Sequence, residues 1–160
     1  MNLLLSLILL SSAFQNGGPL PKTAAALPCG GSGVSPALHW SGAPPNTRSF
    51  ALIVHDPDAP VAGGFYHWVV YDIPPQTSEL ARSARVSGNR SGRNSYGTIG
   101  YGGACPPPGN AHHYRFTLYA LDIASVHATQ PLTATELLAR MQGHILAQTT
   151  LVGMFAVAPR

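Results

Sequence analysis

Residues 114–121 read YRFTLYAL, and the way this run alternates decides the fold. In an extended chain Tyr114, Phe116, Leu118 and Ala120 share one face, and Arg115, Thr117, Tyr119 and Leu121 share the other. Both faces are partly apolar, which predicts a central strand with packing partners on each side. Upstream, residues 49–55 (SFALIVH) form a compact apolar run rich in strand formers, bounded by Pro44-Pro45-Asn46 and Asp56-Pro57. Residues 65–73 (FYHWVVYDI) form another, closed by Pro74-Pro75. Downstream, one helix is predicted over about 133–147. Thr133-Ala134-Thr135-Glu136 is a capping box, and Leu137, Leu138, Met141, Ile145 and Leu146 recur on one face. Residues 149–157 then read as a closing strand. Short strands, frequent turns and one late helix predict an antiparallel β-sandwich with a peripheral helix.

Composition agrees with this reading. The chain has 160 residues, 45% hydrophobic and 9% charged, against about 25% charged in an average globular protein. One domain spanning 1–160 is expected at this length. Low charge with high apolar content argues against a disordered or coiled-coil chain. The 17 Gly and 15 Pro argue against a helical bundle. The net charge of +3 includes Arg82, Arg85, Arg90 and Arg93 in one Ser/Gly-rich stretch. Nucleic acid needs a denser basic face, so this stretch reads as a solvated loop and no nucleic-acid partner is expected.

Two segments keep alternatives open. Residues 3–10 (LLLSLILL) followed by Ser11-Ser12-Ala13 resemble the apolar part and cleavage site of a secretory signal. The run is too short to span a bilayer, and Lys or Arg is missing before it. A buried first strand within 1–13 is therefore preferred, with a cytoplasmic location; a cleaved signal would instead imply a periplasmic or secreted protein. Cys29 and Cys105 are too few for a disulfide scaffold or a cysteine zinc site. Whether they pair is not decided by the sequence.

Three polar segments stand at the ends of the apolar runs. His55-Asp56-Pro57-Asp58-Ala59-Pro60 holds two carboxylates in a loop stiffened by proline. Taken alone it is an ordinary Asp-Pro turn. Gly63-Gly64-Phe65-Tyr66-His67-Trp68 sets an imidazole among aromatic rings, where a lone histidine is most often a core residue. Residues 100–114 (YGGACPPPGNAHHY follows Gly100) combine glycines, a proline run, His112, Tyr101 and Tyr114. Glycine permits close approach of a ligand to the backbone, and free amides in such a loop suit an anion. The segment lacks the GxxxxGK[ST] pattern, so no nucleotide is expected.

Together these pieces resemble the phosphatidylethanolamine-binding protein family, in its bacterial and archaeal Raf-kinase-inhibitor-like branch. The matching stretches are 35–40 (SPALHW), 51–60 (ALIVHDPDAP), 67–74 (HWVVYDIP) and nearly all of 100–122, with 12–18 (SAFQNGG) resembling the family's opening segment. Two departures are Ala104, where many relatives carry proline, and residues 18–34, which are poorer in aromatic side chains. The resemblance implies a Greek-key antiparallel β-sandwich with a small pocket at one end and a cis-proline peptide near the Asp-Pro loop. It implies that Asp56, Pro57, His67, Tyr101, Gly103, Cys105, Pro106, His112 and Tyr114 line or support a pocket for phosphate or a phosphorylethanolamine-like head group.

The function expected from the resemblance is a small-anion-binding module that regulates or inhibits a partner kinase or protease. No cofactor, metal or stable membrane insertion is expected. The alternative is an enzyme using Asp56, His67 and His112 as acid–base groups on an anionic substrate. Against it, no basic residue flanks Cys105 to activate a nucleophile. A two-histidine, one-carboxylate metal site is disfavoured, because those side chains already have roles in anion binding.

Overall fold

The computed structural model describes residues 6–86 and 90–159. Strand β3 (Ser49–Asp56) is its axis, and every residue of β3 except His55 is buried. It pairs antiparallel with β4 (Phe65–Ile73) on one side and with β6 (His112–Leu121) on the other. The last strand, β7 (Ile145–Phe155), adds to the free edge of β6, giving the order β4-β3-β6-β7. A smaller antiparallel sheet is built from β1 (Ile8–Leu10), β2 (Leu38–Ser41) and β5 (Glu79–Leu80), in the order β1-β2-β5.

The alternation in β6 explains why the larger sheet is covered on both faces. Tyr114, Phe116, Leu118 and Ala120 join Phe50, Leu52 and Val54 against Leu9, Leu38 and Trp40 of the smaller sheet. Tyr119 and Leu121 point the other way, with Ala51, Ile53, Val69 and Tyr71, against Leu137 and Met141 of helix α1 (Ala134–Met141). Each fully buried Leu or Phe in these layers contributes roughly 1.5–3 kcal/mol. Two antiparallel sheets and one helix near the carboxyl end make the sandwich predicted from the sequence.

Three boundaries differ from expectation. The helix ends at Met141, not near 147: Gln142 leaves helical geometry and Gly143 takes φ +83°. Ile145 and Leu146 fit a helical period but belong to β7 instead, Ile145 pairing with Leu121 and Leu146 lying at a register shift, because glycine after the last turn stops the helix. The closing strand consequently starts at Ile145 and ends at Phe155, with Val157 in an isolated bridge to Pro108. The expected cis-proline is not found, since no peptide bond is cis among the described residues. The chain reverses after Asp56 by other means: the Asp58 amide donates to Asp56 Oδ1, and Gly63 and Gly64 supply positive φ.

At the amino terminus, Ile8–Leu10 pairs with Ser41–His39 of β2, and Leu7 and Leu9 are buried. Residues 1–5 of the segment in question lie outside the described part. Arg82, Arg85, Arg90 and Arg93 are all exposed. Residues 15–36 carry only two single-turn helices, Lys22–Ala24 and Leu27–Cys29.

Candidate functional site

Three strands meet at one end of the larger sheet. β3 finishes at Asp56, β4 begins opposite it at Phe65, and β6 begins at His112. The loop 56–64, the loop 100–109 and Tyr96 close a cavity of about 140 Å³ around them. That volume holds a head group or a small anion, whereas sites for drug-sized ligands run to roughly 300–1,000 Å³.

His67 reaches the cavity through an irregularity in β4. Val54 opposes Trp68 and His55 opposes Tyr66, so His67 is an extra residue between two pairs. Such a bulge re-aims side chains. Trp68 packs in the core between the sheets, while the neighbouring His67 lies against Tyr114 (5.2 Å), Phe65 (4.9 Å) and Tyr96 (5.8 Å). Its Nδ1 donates to the Gly102 carbonyl at 2.8 Å. A carbonyl only accepts, so the proton sits on Nδ1 and Nε2 carries a lone pair. Burial holds this imidazole below its ordinary pKa, and the Gly102 carbonyl and the Asp56 charge only partly offset that.

Asp56 is buried, and each of its carboxylate oxygens accepts a hydrogen bond. Oδ1 accepts the Asp58 amide, and Oδ2 accepts His112 Nδ1 at 2.6 Å. The His112 proton is thereby placed on Nδ1, leaving Nε2 as the ring nitrogen without a protein partner among the described residues. One residue along, His113 repeats the arrangement at the surface: its amide and Nδ1 both donate to Asp58 Oδ2, at 2.8 and 2.7 Å. The hydrogen bond from His113 holds Asp58 below the ordinary carboxylate range. Two consecutive Asp–His pairs thus pin the loop after β3 to the start of β6.

Tyr114 contributes a buried hydroxyl with no hydrogen-bond partner among the described residues. Burial, and then the Asp56 charge, raise its pKa, so it remains a neutral donor. An unsatisfied buried hydroxyl costs about 1–3 kcal/mol.

Of the residues anticipated from the sequence, Asp56, His67, Cys105, Pro106, His112 and Tyr114 line the cavity. Pro57, Tyr101 and Gly103 do not. Tyr101 donates its hydroxyl to the Ala24 carbonyl at 2.6 Å and packs edge-on against Trp68. Gly103 accepts from the Tyr96 hydroxyl, and a Cβ there would lie 2.4 Å from the Ala26 amide nitrogen. Both therefore support the wall from behind. Cys105 is joined to Cys29 in a disulfide that ties the rim to the segment 19–34.

Phe65, Ala59, Pro60, Val61, Tyr96 and Pro107 also line the cavity and were not anticipated. Phe65 lies two positions before His67, a spacing that places both on one strand face. Ala59 and Pro60 belong to the stiff Asp-Pro segment. Tyr96 had no sequence signal, because it sits in the polar stretch read as a solvated loop. Among the described residues, no group of three or more His, Cys, Asp or Glu is arranged to hold a metal. Among the described residues, no helix is long and apolar enough to cross a membrane.

A two-sheet sandwich with an Asp–His cup where the central strands end defines a class of small pocket-bearing β-proteins. The family model described as phosphatidylethanolamine-binding protein matches residues 10–156, and the chain belongs to that family. It is 42% identical over 150 residues to a UPF0098 protein of Aquifex aeolicus, covering 91% of this chain and 85% of the relative. A UPF0098 protein of Chlamydia muridarum is 41% identical over 151 residues, covering 92% and 97%. Among solved structures, Escherichia coli YbcL, described as a member of the mammalian PEBP family, superposes with a TM-score of 0.88 at 31% identity, covering 95% of this chain and 99% of that one. The Chlamydia trachomatis homologue CT736 gives 0.85 at 39% identity, covering 94% and 97%.

Proposed function

We propose that this protein is a binding module whose Asp56–His67–His112–Tyr114 cup captures a small phosphoryl-bearing anion. The observation that carries this reading is the buried Tyr114 hydroxyl, unpartnered among the described residues, beside two imidazoles that each spend Nδ1 on a protein acceptor. Donors of this kind complement phosphate oxygens. The cavity volume supports a head group or free phosphate. Regulation of a partner kinase or protease rests on the family resemblance. The Cys29–Cys105 disulfide supports a compartment that maintains disulfides, against the cytoplasmic location expected from the sequence.

Thermal unfolding with inorganic phosphate or phosphorylethanolamine tests the module. At a hundredfold excess over Kd the ligand adds about 2.7 kcal/mol of stability, which raises the melting temperature. His67→Ala and His112→Ala abolish that rise. An unchanged melting temperature in the wild-type protein at millimolar ligand counts against the reading.

A second reading, proton transfer on a small anionic substrate, has one observation in its favour. His112 is oriented through Nδ1 by a buried carboxylate, as a general base requires. Turnover of a phosphomonoester by the wild-type protein, lost in His112→Ala, would replace the module with an enzyme.

A further inference from the structure

Helix α1 covers only part of the outer face of the larger sheet, and a groove of about 210 Å³ lies beside it. Three rows of side chains cross the groove. Tyr66, His55 and Arg115 are register partners on β4, β3 and β6. Ile53, Thr117 and Thr150 make the next row, and Tyr119 with Gln148 the third. Leu138 of the helix lines one side. Asp56 and Tyr114 line the cup, whereas their neighbours His55 and Arg115 face the opposite way on the same two strands. The groove is therefore a site apart from the cup.

Two features separate it from an ordinary solvated sheet face. Tyr119 is only 9% exposed, yet its hydroxyl has no hydrogen-bond partner among the described residues. Burial and the neighbouring Tyr66 raise its pKa, with Arg115 offsetting them in part, so it stays a proton donor. The second feature is charge. Arg115 brings a guanidinium to the groove, no described carboxylate lines it, and the ion pairs among the described residues all join His to Asp. The remaining walls are fixed and polar. His55 stacks on Tyr66 with ring centroids 4.3 Å apart and donates Nε2–H to the Gly63 carbonyl. The Thr117 and Thr150 hydroxyls are 2.9 Å apart, so one donates to the other and the pair keeps one proton to offer. Gln148 is exposed and adds an amide donor and acceptor.

A complementary ligand carries one negative charge and several hydroxyls. A guanidinium fork matches a carboxylate through two parallel hydrogen bonds, and a single guanidinium balances a monoanion. Hydroxyls both donate and accept, as the threonine pair and the Gln148 amide require. We propose that the groove is a second binding site, for a hydroxylated carboxylate of the sugar-acid class. Arg115 holds the carboxylate, and Tyr119, Gln148 and the Thr117–Thr150 pair hold the hydroxyls. Binding forms hydrogen bonds only, with no covalent step.

Amide ¹H–¹⁵N spectra of the wild-type protein, titrated separately with glucuronate, glucose, acetate and inorganic phosphate, locate and rank binding. Glucuronate is expected to shift Ile53, Arg115, Thr117 and Gln148 and to saturate at millimolar concentration. Glucose, which lacks the carboxylate, and acetate, which lacks the hydroxyls, each bind about tenfold more weakly or worse. Arg115→Gln, at an exposed position, raises the glucuronate Kd about tenfold and leaves glucose unchanged. Phosphate shifts fall instead at the cup, around Asp56 and His112, and are the same in Arg115→Gln, so the two sites are read separately in one protein. No shift with millimolar glucuronate overturns the proposal, as do glucuronate shifts confined to the cup. Equal affinity for glucuronate and glucose removes Arg115 as the anchor, and equal affinity for glucuronate and acetate removes the hydroxyl contacts; either result overturns the ligand class.

Discussion

Tyr114 separates function from stability at a single atom. Its hydroxyl is buried and unpartnered, so removing it relieves an unsatisfied group. Tyr114→Phe is expected to leave stability unchanged or raise it by about 1 kcal/mol, while weakening phosphate binding. Denaturant unfolding and calorimetry on the same sample check the two opposite signs; a loss of stability would show that the hydroxyl has a structural partner. His67 sets the acid limb of stability. Its folded pKa lies below the unfolded value near 6.5, so the unfolded chain binds more protons as pH falls. The stability from keeping His67 neutral is complete above about pH 6.5 and is lost as pH falls through the folded value. The melting temperature of the ligand-free protein should therefore drop on this limb, and His67→Gln should drop less. At this scale the chain was partly legible. Asp56, His67 and His112 announce themselves as polar residues ending apolar runs. Tyr96 does not, because its contact with Phe65 at 4.6 Å depends on how a long polar loop folds back.

Whole elements were easier to read than their ends. The two-residue period in β6 located both packing layers, because a strand covered on each face needs apolar residues in both registers. The capping box was equally legible: Thr133 Oγ1 accepts the Glu136 amide and Glu136 accepts the Thr133 amide. Thr133→Ala is expected to cost about 1 kcal/mol, measurable as a shift of the denaturation midpoint with no change in phosphate affinity. The bulge at His67 was not legible, since it arises from the register of β4 against β3 and not from any residue in the run. The turn that follows β3 is more demanding. Gly64 has φ +74°, and a Cβ there would lie 2.5 Å from the Asp56 carbonyl oxygen. Gly64→Ala must therefore displace the backbone that carries Asp56. The expected outcome is weakened phosphate binding together with a lower melting temperature, unlike Tyr114→Phe, which separates the two.

For the molecule as a whole, the least legible feature was the covalent one. Cys29 and Cys105 are 76 residues apart in sequence, and nothing in either segment shows that the fold brings their Cα atoms to 5.4 Å. A crosslink over a loop of that length stabilises by about 4 kcal/mol, chiefly by restricting the unfolded chain. Its effect on the pocket is a separate matter, because noncovalent ties bridge the same two segments. The Ala26 amide donates to the Ala104 carbonyl at 2.9 Å, the Ala104 amide to the Ala24 carbonyl at 3.2 Å, and Tyr101 to the Ala24 carbonyl. These bonds do not pass through sulfur and persist when the disulfide is opened. Reduction, or Cys29→Ser with Cys105→Ser, is therefore expected to lower unfolding free energy by about 4 kcal/mol while leaving phosphate affinity within a fewfold of the oxidised protein. Denaturation curves and calorimetry with and without reductant distinguish the outcomes. A large loss of affinity on reduction, in protein that is still folded, would show that the disulfide and not the hydrogen-bonded wall positions Cys105 and Pro106 at the rim.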